Sequence, residues 1–94
     1  DEIALGAQRA ARELSIRVPG QLAITGWDDI PVAALVSPAL TTIRQPMREI
    51  GSTAAILLAE RISDGRQESR HVLLPTSLVL RASCGCQATG GEIS

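Results

Sequence analysis

The side chains with the most chemistry to offer are two adjacent carboxylates, Asp28 and Asp29, and a closely spaced pair of thiols, Cys84 and Cys86. Neighbouring aspartates are not a preset acid–base pair across a cleft, because that work needs two titratable groups whose surroundings push their pKa values apart. The single histidine, His71, sits beside Arg70 in a strand-like pattern, with nothing to bring it to Ser52 or Asp28. No G-x-G-x-x-G, P-loop, H-E-x-x-H or G-x-S-x-G motif occurs. An enzyme is therefore not expected. The cysteines are one residue apart, a spacing that rarely closes a strain-free disulfide. A four-ligand metal site would need partners that one histidine cannot supply. They read as reduced thiols in a loose tail, and neither a metal nor a cofactor is expected.

What remains is binding. Gln21-Leu22-Ala23-Ile24-Thr25-Gly26 reads as a buried strand: short, mostly apolar and ended by glycine. In α/β sheets, ligands sit beyond the carboxyl ends of the strands. Asp28 and Asp29 lie where a small polar ligand would be met. A competing reading makes them helix caps, since an aspartate before Ile30-Pro31 is a natural N-cap with proline in the first turn.

The elements that must position this loop are legible as periodicities. Residues 1–16 place Ile3, Ala4, Ala7, Ala10, Ala11 and Leu14 on one helical stripe, with Asp1 and Glu2 in the first turn where negative charge suits the dipole. Pro19-Gly20 predicts a turn. Residues 30–39 predict a short helix or turn, uncharged and so buried in a core or an interface. Residues 40–46 are β-branched and extended, closed by Pro46. Residues 47–63 form a second helical pattern, with Met47, Ile50, Ala54, Leu57, Leu58 and Ile62 on its stripe and Asp64-Gly65 as its stop. Residues 70–83 read as strand, broken or bent at Pro75. The last residues are Gly-rich and polar, and a disordered tail is expected over 85–94.

Composition sets bounds. The 94 residues are 45% hydrophobic, enough for one small domain or a piece of a larger one. Trp27 is the only aromatic residue, so the core must be built from Leu, Ile, Val and Ala. The net charge of −1 gives no general attraction for phosphate backbones, so this segment alone is a poor nucleic-acid binder. The longest uncharged run, 30–43, contains prolines and is not a membrane span. No signal-peptide pattern opens the chain, and a cytoplasmic location is expected. A start at the first turn of a helix reads as a cut from a longer chain.

Five blocks occur in order: D-x-x-A-L-G-A at the start, V-P-x-x-x-A-I-x-G-x-D-D, P-x-L-T-T-I-R-Q-P, G-x-x-A-x-x-L-L and L-P-x-x-L-V-x-R-x-S. Together they resemble the C-terminal part of the effector-binding domain of LacI/GalR-family transcriptional regulators, over residues 1–84. The resemblance implies an α/β fragment of a type I periplasmic-binding-protein-like fold, with two subdomains, a parallel sheet and flanking helices. In that frame residues 1–40 belong to the C-terminal subdomain and 41–46 form a crossing strand. Residues 47–64 are a helix of the N-terminal subdomain, and 70–83 are a returning strand. It implies a repressor that senses an effector, commonly a sugar, and meets operator DNA through a helix-turn-helix domain absent here. A sugar-binding component of an extracytoplasmic transporter is the alternative; the L-T-T-I-R-Q-P block and the L-V-x-R-x-S ending favour the regulator.

The site residues follow from the same resemblance. Asp28 matches a carboxylate that accepts hydrogen bonds from sugar hydroxyls or base nitrogens, and a carboxylate can accept from two adjacent O–H groups at once. Asp1 matches the aspartate of an Asn-Asp pair, and Gln45 matches the crossing segment beside the cleft. Met47 and Ile50 fall where apolar side chains line the pocket, or else are ordinary core on their stripe. Trp27 either packs or stacks on a sugar. Homodimer contacts are implied at Ala4, Leu5, Gln8, Leu35 and Val36. The stripe of the second helix needs a sheet that the sequence does not contain, so self-association is expected.

Overall fold

A computed structural model describes residues 1–65, 67–86 and 92–93. The chain divides into two units. One comprises Asp1–Gln45 with the segment from Thr76 onward, and the other is Pro46–Pro75.

The first unit opens with α1, Glu2–Glu13, which has Glu2 in its first turn and Arg12 in its last, both signs favourable to the helix dipole. Its buried stripe is Ala4, Gln8 and Ala11. This differs from the apolar stripe expected from sequence, since Ile3 and Leu14 are exposed. The face is turned by Gln8, whose Nε2 donates to the Pro38 carbonyl at 3.1 Å. A buried amide group is tolerated when its hydrogen bond is made. Beyond α1, a turn carries the cis Val18–Pro19 bond, and the Gln21 and Leu22 amides return to the Arg17 carbonyl.

The expected strand over 21–26 is an extended segment with one-sided pairing. Only Thr25 and Thr41 form a bridge, and it is parallel. The amides of Ile24, Gly26 and Asp28 donate to the carbonyls of Ser83, Thr41 and Ile43. A short 3-10 turn, Pro31–Ala34, follows with Pro31 in its opening position. The named strands are β1 (Thr42–Arg44), β2 (Ser77–Val79) and β3 (Glu92–Ile93), in the order β1-β2-β3. Both pairings are antiparallel, with Thr42 opposite Val79 and Leu78 opposite Ile93. The expected parallel sheet is thus reduced to the Thr25–Thr41 bridge among the described residues. The returning strand is also shorter than 70–83, because Pro75 has no amide to give to a ladder and β2 starts only after it.

The core of this unit is small and aliphatic: Ala4, Ile24, Ala33 and Leu40, with Leu5, Val18 and Val36 packed against it. Beside it lies a buried polar layer of Thr41, Thr42 and Ser83. The Ser83 hydroxyl donates to the Ile24 carbonyl at 2.5 Å and accepts from the Thr41 amide at 2.9 Å. The tail expected to be disordered contains β3, while 87–91 and 94 lie outside the described residues. The cysteines expected to be reduced are joined, Cys84 to Cys86. Their Cα atoms are 5.4 Å apart, within disulfide span, because Gly85 at φ 78° turns the chain back on itself.

The second unit is built on α2, Met47–Asp64, capped by Gly65 at φ 66°. Its bounds match the pattern read from sequence, set by Pro46 before and Gly65 after. No residue of α2 is buried, and Met47, Ile50, Leu58 and Ile62 are exposed. Within this unit Arg70 Nη1 meets Glu60 Oε2 at 3.1 Å.

Leu40 is fully buried and Leu58 is exposed. Leu40→Ala is expected to destabilise the chain by about 2–5 kcal/mol, and Leu58→Ala by no more than about 0.5 kcal/mol. Urea unfolding of both variants checks this, and equal losses would contradict the division between core and exposed helix.

Candidate functional site

The loop after Gly26 is positioned by close approach. A Cβ at Gly26 would strike the Asp1 carboxylate and come within 2.9 Å of Leu40 Cδ2, so only glycine lets the chain pass between α1 and the core. Asp1 then anchors the far side of the loop. Its Oδ2 accepts from the Ile30 amide at 2.7 Å, and its Oδ1 accepts from the Thr42 hydroxyl at 2.6 Å. Asp1 thereby does the work that the cap reading assigned to the aspartates of the loop, and the 3-10 turn begins at Ile30 without a side-chain cap of its own. Both Asp1 oxygens serve the chain's own groups.

Asp28 and Asp29 are both left-handed, at φ 112° and 55°, and their side chains take different directions. Asp28 is exposed, and its Oδ1 accepts from Gln45 Nε2 at 2.5 Å. A carboxylate and a carboxamide from separate segments are therefore side by side, an acceptor next to a group that both donates and accepts. Asp29 turns inward. Its Oδ1 meets Arg81 Nη1 at 2.7 Å and its Oδ2 meets Arg44 Nε at 2.8 Å. The same Arg81 nitrogen donates to the Leu40 carbonyl at 3.0 Å. Burial alone would raise the Asp29 pKa, but the hydrogen bonds and charges of Arg81 and Arg44 outweigh it and hold the carboxyl below its usual range.

The other expected site residues are scattered. Trp27 is half-exposed and lines a cavity of about 290 Å³ together with Thr25, Thr42, Ile43 and Leu78. Met47, at 61% exposure, and Ile50 belong to the second unit and are not core there. Of the five expected dimer contacts, Ala4 and Gln8 are buried in the chain's own core, so they hold α1 in place instead of offering surface. Leu5 and Val36 pack against that core, and only Leu35 is exposed, at 81%. Sequence reasoning did not single out Arg44 and Arg81. The signal was present as one arginine in each of the blocks T-T-I-R and L-V-L-R. Among the described residues no three His, Cys, Asp or Glu side chains gather as metal ligands, and no helix is long and apolar enough to cross a membrane.

Residues 1–84 match a family model described as a periplasmic binding protein-like domain. The chain is 45% identical over 83 residues to a lactose operon repressor from Rhizobium radiobacter, covering 88% of this chain and 73% of that protein. It is 41% identical over 88 residues to the HTH-type transcriptional repressor MelR of Bacillus subtilis, covering 94% of this chain and 25% of that one. Among solved structures it is similar to a LacI family transcriptional regulator from Enterococcus faecalis with bound ribose, at 39% identity and TM-score 0.81 over 89% of this chain and 32% of that one. It is likewise similar to the lac repressor dimer bound to operator and the anti-inducer ONPF, at 38% identity and TM-score 0.79 over 89% and 29%. The chain thus spans about a quarter to a third of most of these relatives.

The depressed pKa of Asp29 fixes a pH dependence. On acidification the unfolded chain takes up this proton first, so the stabilisation is complete above the ordinary carboxylate value of 3.8 and is lost as pH falls through the lower folded value. Unfolding curves at neutral pH and below pH 3.8 are expected to show a smaller acid-induced loss for Asp29→Asn than for the parent chain; identical losses would contradict the ion pairs.

Proposed function

This chain belongs to the periplasmic binding protein-like domain family, and on that premise we propose that it is the C-terminal part of the effector-binding domain of a LacI/GalR-type transcriptional regulator and senses a sugar for a repressor. The observation that carries the reading is the outward carboxylate of Asp28 beside the Gln45 carboxamide. Adjacent sugar hydroxyls can donate to Asp28 Oδ2 and take the place of Gln45 at Oδ1, and the carboxamide then turns to a third hydroxyl. Trp27 supplies an apolar plane at the edge of the site. Asp1 supports the loop from behind and borders the ligand. Ribose in the E. faecalis regulator is consistent with a polyol effector.

In this account the working molecule is a cytoplasmic homodimer that associates with no membrane. The exposed Leu35 faces the partner, with Ala4, Leu5, Gln8 and Val36 forming the packed base beneath that surface. Operator DNA is met through a separate helix-turn-helix domain. The effector favours one of two closure states and so biases the DNA-binding domains between two arrangements. The relatives are repressors and not enzymes, and the same is proposed here.

Asp28→Ala in the full-length product of the gene that encodes this chain is expected to abolish the effector response by at least about tenfold in effector concentration. Operator binding and dimer size should remain unchanged. A reporter assay with a sugar panel, run beside light scattering, checks this; an unaltered response would refute the role of Asp28.

A further inference from the structure

We propose that Asp29 is the positioning residue of the ligand loop: clamped by Arg81 and Arg44, it fixes the backbone of Asp28 and so sets where the Asp28 carboxylate points. The inference rests on the reading that Asp28 meets the effector.

Consecutive left-handed residues that are not glycine persist only when their surroundings over-determine them. Here the restraints are explicit. The Asp28 amide donates to the Ile43 carbonyl at 2.8 Å, and the Asp29 amide donates to the Thr42 hydroxyl oxygen at 3.3 Å. Those bonds tether the loop to β1. They do not select the direction of the side chains. The Asp29 carboxylate does, because reaching Arg81 and Arg44 commits it inward and turns its neighbour outward toward Gln45. Arg81 is held independently of the loop, by the Leu40 carbonyl and by its own amide on the Thr41 hydroxyl at 2.8 Å. The clamp is therefore a fixed point to which the loop is drawn. The Asp29 side chain is 9% exposed with both oxygens engaged, so it acts through Asp28 and does not meet a ligand itself.

The test is residue-resolved amide exchange on the full-length gene product and its Asp29→Asn variant, which keeps the shape and removes the charge. Exchange at Asp28 and Asp29 is expected to accelerate about tenfold or more, while Ile24 and Gly26, whose amides bond elsewhere, keep their rates. Acceleration of all four together would mean a merely structural role, and no acceleration would mean no clamp; either overturns the proposal. Should Asp29→Asn not fold, Arg44→Gln removes the more exposed arm: a smaller acceleration confined to Asp28 and Asp29 supports the clamp, and none overturns it. Calorimetric titration with ribose and lactose accompanies it. Binding that is weakened by Asp29→Asn in the parent, but not in an Asp28→Ala background, supports action through Asp28, whereas equal weakening in both overturns it. If the parent binds neither sugar, the sugar-sensing reading fails while the exchange rates still decide the clamp.

Discussion

The carboxylate of Asp29 is the tie on which the described fold depends. It joins stretches far apart in sequence: the loop after Gly26, the end of β1 through Arg44, and the segment after β2 through Arg81. The two arms are unequal. The Arg81 side chain is 13% exposed, so breaking that pair would leave an ion with little water to replace its partner. The Arg44 side chain is 45% exposed, where solvent and salt screen the attraction and its contribution to stability is small. Arg81 is the structural arm, and Arg44 refines the geometry.

So polar a tie matters because the apolar core is slight. Ala4, Ile24, Ala33 and Leu40 offer little volume, and no aromatic residue is buried among them. Specificity of packing falls to hydrogen bonds that permit one arrangement. Ser83 bridges the extended segment and the strand entering β1, and Thr42 receives the Asp29 amide while donating to Asp1. A buried polar layer in which these groups find partners is rigid and intolerant of slippage. It lies directly beneath the loop that presents Asp28, so the scaffold and the binding surface share their restraints.

The parts of this arrangement that sequence made legible are those set by local chemistry. Pro46 and Gly65 bound α2 closely, and Pro31 opens its turn. Long-range choices were not legible. The buried face of α1 turned because Gln8 found the Pro38 carbonyl, a partner that periodicity cannot reveal. The Ile30 amide went to Asp1 and not to a nearby aspartate, since only the fold brings the start of the chain to that loop. The order and direction of the strands depend on pairing across long stretches, which a run of apolar residues does not encode. Asp28 and Asp29 were placed together by the glycine-ended segment before them, and the family resemblance singled out Asp28; the inward role of Asp29 needed both arginines in place.

A double-mutant cycle between Asp29→Asn and Arg81→Gln, followed by urea unfolding at neutral pH, tests the tie itself. A coupling of about 1–3 kcal/mol is predicted for groups that act as one unit. Losses that add to within about 0.5 kcal/mol would show two independent surface charges and contradict the account.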